Sequence, residues 1–445
     1  MRVHESICLG IPQILLPKPG TDLTKWAVIA CDQYTSEPQY WEKAAALVGE
    51  APSTLNLIYP EVYLNEKNPD IRIARIREHM DRYLAQSLFR EAEGFIYLER
   101  TTGGHTRKGL MACLDLDHYD FRKGATTVIR ASEGTILERI PPRVKIRTGA
   151  PIEVPHIMVL IDDPGNEVLG PLSAHKTRLT KVYDFELMLG SGRLTGYRVT
   201  DAGLESGILR GLEALADPHA FAAKYGLKPG APVLLYAMGD GNHSLATAKT
   251  IWEKAKDAAA DKKTLSSSPL RYAMVELVNL HDPALVFEPI HRVLFDVASG
   301  RNPVDELKAF YGGRVHFQKS CCFERMKEDV DGQYGLPHKV GVITTDGFGI
   351  AEITAEGSNL PVGTLQNFLD AFLKNKGARE IDYVHGTESV AQLGEKPGHV
   401  AFYLPAMKKE DLFKTVILDG ALPRKTFSMG EAFEKRFYME ARKLA

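Results

Sequence analysis

The run from Val233 to Lys249 constrains the fold most. An apolar strand pattern, Val233-Leu234-Leu235-Tyr236-Ala237-Met238, breaks into Gly239-Asp240-Gly241-Asn242-His243-Ser244 and continues with helical character through Leu245-Ala246-Thr247-Ala248-Lys249. A strand that turns straight into a helix implies layered α/β packing. It also prepares a place for an anion, because the first amides of a helix lack intrahelical acceptors and the peptide dipoles add positive charge there. Gly239 and Gly241 let the backbone approach a ligand closely. Asp240, Asn242 and His243 add an acceptor, an amide and a titratable ring. The same letters also suit an ordinary turn with Asn or Ser as the helix cap. His243 is the residue that capping does not require.

The chain has 445 residues, 44% hydrophobic and 25% charged, enough for two or three cores. Its net charge of −2 gives no field that would draw it to nucleic acid or an anionic membrane. Five scattered cysteines argue for a reduced, cytoplasmic setting rather than a disulfide framework. The adjacent Cys321 and Cys322 lack metal-ligand spacing and read as structural. The first residues carry charge at Arg2 and Glu5 and no secretory pattern. No window approaches the roughly 18 apolar residues of a spanning helix.

Strand and helix patterns alternate along the chain, which predicts an α/β or α+β protein with mixed sheets and helices. The expected regions are 1–120, 121–300 with the Gly-Asp-Gly-Asn-His motif, and 301–445, with the alternative that all three form one compact unit. Lys254 to Ser268 reads as a helix end and loop.

Three further clusters carry polar chemistry. Glu288-Pro289-Ile290-His291-Arg292 follows an apolar run and sets His and Arg at the end of a predicted strand, where a guanidinium grips an oxyanion well. The competing reading is a packed His beside a solvated Arg. Glu133 to Arg147, basic and interrupted by Pro141-Pro142, reads either as an anion-binding loop or as a solvated face. Pro423-Arg424-Lys425-Thr426 gathers cations and a hydroxyl in a turn, for phosphate contact or as plain surface. P-loop, zinc-protease and nucleophile-elbow motifs are absent from the sequence, and the Gly-x-Gly lacks the third glycine of a dinucleotide fingerprint.

The segment Ala30 to Tyr34, the central Asp240-Gly241-Asn242-His243, Pro289-Ile290-His291-Arg292 and Pro423 to Thr426 together resemble a divergent branch of the family known as domain of unknown function 1015. The commoner central motif there reads Asp-Gly-His-His-Arg. On a strand-to-helix turn, that signature is similar to the superfamily of partition protein B, sulfiredoxin and a free serine kinase. The resemblance implies a nucleotide or phosphate site at Gly239, Asp240, Gly241, Asn242, His243 and Ser244, and the family's frequent placement near serine biosynthesis genes implies a link to serine or phosphoserine. Ser244 stands where the signature has Arg, so a cation must come from elsewhere: Arg292, Lys249, Arg143 or Lys425. Asp32 is the carboxylate proposed for the upstream site segment.

The leading expectation is a nucleotide- or phosphate-binding enzyme that transfers or hydrolyses a phosphoryl group on a small hydroxy amino acid. His243, Asp240 or Asp32 would handle protons, and His291, Arg292, Arg143 and Lys425 would help hold phosphate. ADP or ATP and Mg²⁺ are the expected cofactors. The expected partners are a nucleotide or phosphorylated small molecule and a second copy of the chain, without membrane or nucleic acid. The alternatives are a non-catalytic nucleotide switch and a metal hydrolase built on His243, His291 and Asp240.

Overall fold

Tyr272–Asn279 is buried along its whole length, and its side chains alternate between two cores. Tyr272 and Met274 enter one core and Ala273, Val275 and Leu277 the other. Such a strand belongs at the centre of a sheet covered on both faces. In the computed structural model, which describes every residue except 260–264, 266, 333, 356–357 and 445, it lies mid-way in an 11-stranded mixed sheet.

Four elements of the first part of the chain build the site. They are α1 (Ile140–Arg147), β1 (Met158–Ile161), β2 (Tyr236–Asp240) and α2 (Asn242–Ala258). The central strand Tyr272–Asn279 is β3 and pairs with β1 in parallel, while β1 pairs with β2 antiparallel. Helix α2 sends Leu245, Ala248 and Trp252 into the sheet core at helical spacing. It sends Ala246 and Ile251 against Ile140 and Val144 of α1. The basic run Glu133 to Arg147, read as an anion-binding loop or a solvated face, is α-helical over Ile140–Arg147. Pro141 and Pro142 occupy its first turn, where a missing amide hydrogen costs nothing.

The chain divides into two units, 1–285 with 430–445, and 286–429. The boundary expected near 120 falls within the 11-stranded sheet, whose strands come from residues on both sides of it. The one expected near 300 falls inside the second unit. That unit is built on a seven-stranded antiparallel sheet among the described residues. Its first strand, β4, is Phe287–Val297. The stretch expected as a helix end and loop lies partly outside the described residues; helix α2 ends at Ala258. No helix among the described residues is long and apolar enough to cross a membrane.

Candidate functional site

The turn between β2 and α2 does not cap its helix with a side chain. Gly241 is the cap residue, in the left-handed region at φ 81°, and Asn242 and Ser244 lie inside the first turn. Helix Ala202–Leu215 differs: the Asp201 carboxylate accepts from Gly203 and Leu204. Ordinary N-capping by Asn or Ser thus does not explain Gly-Asp-Gly-Asn. A Cβ on Gly241 would stand 3.1 Å from the Ile157 Cα, so glycine is needed for space as well as for φ. Asp240 Oδ1 accepts the Gly241 amide at 2.9 Å and its Oδ2 stands 3.3 Å from Lys435 Nζ. Burial pushes the Asp240 carboxyl up, but Lys435, His156 and the Gly241 amide together bring it below the usual carboxylate range. Gly239 lies within β2.

Beside this first turn opens a cavity of about 130 Å³. Its polar wall includes Glu61, Arg143, His156, Ser244, Thr247 and Tyr438. His156 is central: Nε2 is 3.0 Å from Ser244 Oγ, Nδ1 is 2.8 Å from the Tyr438 hydroxyl, and Asp32 Oδ2 lies 3.9 Å from Nε2. The Tyr438 hydroxyl also accepts the Cys31 amide at 3.1 Å. Arg143 is ion-paired with Glu61 and donates to the Arg139 carbonyl at 2.6 Å. Burial raises the Glu61 carboxyl, opposed by Arg143 and reinforced by the charge of Asp32. Asn242 Oδ1 is buried without a hydrogen-bond partner. His243 Nε2 accepts the Ile136 amide at 3.3 Å.

The structure thus gathers Asp32, Arg143, Asp240, Gly241, Asn242, His243 and Ser244 in the first unit, with Lys435 and His156 among them. His156, Tyr438, Glu61 and Lys435 went unnoticed in the sequence. His156 directly precedes the apolar run Ile157 to Ile161, the one local signal that could have drawn attention to it. Lys249, offered as a substitute cation, is taken up by Glu253 and the Leu116 carbonyl.

His291, Arg292 and Lys425 belong to the second unit: the first two lie in its interior, and Lys425 is exposed, with its carbonyl accepting from Arg292. His291 and Arg292 lie within β4, not at its end, and both are fully buried. Arg292 donates to Gln366 Oε1 at 2.9 Å, to the Ile290 carbonyl at 2.6 Å, and to the Arg424 and Lys425 carbonyls at 3.0 Å each. Its guanidinium also lies over the Tyr383 ring. The two motifs expected to bind phosphate therefore meet each other: the Pro-Arg-Lys-Thr turn supplies the oxygens that hold Arg292. His291 Nδ1 accepts the Leu404 amide at 3.1 Å. Among the described residues, no group of three His, Cys, Asp or Glu side chains is placed to hold a metal ion.

Residues 15–372 match the family described as "Protein of unknown function (DUF1015)". The chain belongs to that family. No curated protein matches it. Similar solved structures include a "Free serine kinase in complex with AMP", with TM-score 0.38 and 11% identity, covering 75% of this chain and 92% of that one. A "Conserved hypothetical protein from Pyrococcus furiosus" gives TM-score 0.37 and 13% identity over 75% of this chain and 95% of that one. "SbnI with C-terminal truncation from Staphylococcus aureus" gives 0.34 and 9% over 74% and 85%. Likeness at this level carries no ligand over to this family member.

Proposed function

We propose that the first unit is an enzyme of phosphoryl transfer or phosphate-ester hydrolysis, acting on a small hydroxy amino acid such as serine or phosphoserine. The observation that carries this reading is the uncapped first turn of α2 opening beside the small cavity that holds His156, Ser244, Glu61 and Arg143. Helix-terminal amides offset phosphoryl charge without reorganising, which is the main requirement of this chemistry. With Ser244 in place of the signature arginine, the cations that would stand in are Arg143, which shares the cavity wall with its partner Glu61, and Lys435 beside Asp240; each would have to serve the ligand while keeping its carboxylate partner. Asn242 Oδ1, buried and unpaired, is an acceptor for a substrate hydroxyl or ammonium.

Size narrows the substrate. Pockets for drug-sized ligands run to about 300–1,000 Å³, and this cavity is about 130 Å³. It suits an amino acid and a transferring phosphoryl group. Mg²⁺, which usually keeps several waters and takes one or two carboxylates besides substrate phosphates, would find Asp32; when bound it would neutralise charge on the transferring group. Because the His243 ring already receives the Ile136 amide, the pair of Asp32 and His156 is better placed to handle the acceptor's proton.

The test uses the full chain with ADP or ATP, Mg²⁺ and a panel of hydroxy amino acids, and separately with phosphoserine, read by mass. Turnover that falls in Asp32→Asn supports the reading. Nucleotide binding without turnover favours the switch alternative. Neither binding nor turnover with any of these compounds would sink it.

A further inference from the structure

Resting on that reading, we propose that Ser244 is the nucleophile of this site and takes the phosphoryl group from a phosphate monoester onto its Oγ, with His156 as the base. Three groups stand in the required order. The hydroxyl and the imidazole are 3.0 Å apart, inside the span expected of a nucleophile and its base, and a third group holds the other ring nitrogen at 2.8 Å. Nothing in helix capping asks for this contact, because Ser244 lies in the first turn and Gly241 is the cap.

Base catalysis at Nε2 requires the ring's proton on Nδ1. Nδ1 faces the Tyr438 hydroxyl at 2.8 Å, and that oxygen has lone pairs for both this proton and the Cys31 amide. Nε2 is then left bare toward Ser244. Tyr438 is thus a positioning residue for that tautomer. Asp32 Oδ2, 3.9 Å from Nε2, stabilises the imidazolium once it forms.

The chemistry closes. As the Oγ–P bond forms, the Ser244 proton passes to Nε2; the bond from phosphorus to the substrate oxygen breaks, and that oxygen leaves with the proton from Nε2. Water then attacks phosphorus and gives its proton to Nε2, and Oγ departs and recovers it. A hydroxy amino acid in place of water turns hydrolysis into transfer. The positive end of the α2 dipole offsets the charge in both steps. In a family whose common motif has a cation here, this chain carries a hydroxyl paired with a base.

The test treats the full-length protein with diisopropyl fluorophosphate, which phosphorylates an activated serine without needing recognition of a natural substrate, and reads the labelled peptide by mass. Label is expected on Ser244, absent in Ser244→Ala, slower by about 10²-fold or more in His156→Gln, and slowed by inorganic phosphate. Tyr438→Phe is expected to slow labelling while leaving the protective phosphate concentration unchanged, a split that general loosening would not produce. A folded protein that stays unlabelled, or labels equally fast in His156→Gln, overturns the nucleophile, and if it still binds phosphate by calorimetry the phosphate site survives alone. Labelling of Ser244 that phosphate does not slow overturns the phosphate site instead.

Discussion

His243 and His291 each follow an apolar run and each has polar neighbours in sequence, yet they end in opposite surroundings. The first lies in the first turn of α2, half-exposed, where the cap has no side chain and Asn242 Oδ1 has no partner. The second lies within β4, fully buried, next to an arginine held by four oxygens. Residue type is the same in the two motifs; the difference is in what is left over. A site needs donors and acceptors that the fold has not consumed and that a ligand can reach: Arg292 has spent its guanidinium on four oxygens, and the Nε2 that His291 keeps unpartnered is fully buried.

The sharpest way to break this contrast is at Arg292. Arg292→Met leaves Gln366 Oε1 and three carbonyls without their donor, and removing one side of a buried charged network typically costs about 3–5 kcal/mol. Chemical denaturation should show that loss, and Arg292→Lys should recover only part of it, because an ammonium cannot span the same oxygens. A loss within the range of an ordinary surface substitution would mean that Arg292 is not structural.

His291 gives the next effect, as a pH dependence. Burial first, then the charges of Arg292 and His385, push its ring down to about 4. The unfolded chain binds a proton near pH 6.5, where the folded protein refuses one, so stability is complete above about 6.5 and falls as pH drops toward 4. The full loss is about 3 kcal/mol. His291→Gln should flatten the stability profile between those values; an unchanged slope would show that another group titrates there.

Local features were legible in the sequence, and long-range ones were not. The switch from strand to helix at Gly239 to Ser244 shows because periodicity changes within a few residues. The change of pattern after Asp32 to Pro38 likewise predicts a helix from about Gln39, and the helix is Pro38–Val48. His291 reads as a strand end because it follows the apolar run Pro283 to Phe287. The strand runs on because it changes partner, from Phe427–Met429 to Ala378–His385. Lys435 and Tyr438 could not be assigned to the site by any local pattern. They arrive on the segment 430–445, which rejoins the first unit only after the chain has built the second.

Gly241 tests the first motif's backbone. Gly241→Ala imposes a left-handed conformation on a residue with a Cβ, worth about 1–2 kcal/mol, and drives that Cβ against Ile157. A lower melting temperature together with weaker phosphate binding is expected. Lost stability with unchanged phosphate affinity would separate the turn from the ligand.

The smallest effect, and the most specific to charge, belongs to Lys435. Asp240 sits in the turn that leads into α2, and its carboxylate is held ionised there by Lys435, His156 and the Gly241 amide against the pull of burial. An unpaired carboxylate at that point would repel phosphate. Lys435→Met removes the cation 3.3 Å from Oδ2, so phosphate affinity should fall by about 1 kcal/mol, roughly fivefold, at low salt. High salt should narrow the gap, since the lost interaction is a screened charge and not a shape. Asp240 should also change its contribution to stability. In the native chain its lowered pKa stabilises the fold above the unfolded carboxylate value and is lost as pH falls through the folded one; in Lys435→Met burial wins, and that acid-side loss should shrink. If calorimetry finds phosphate affinity untouched at every salt concentration, the Lys435 charge is not felt at the first turn of α2, and Arg143 alone must answer for the missing signature arginine.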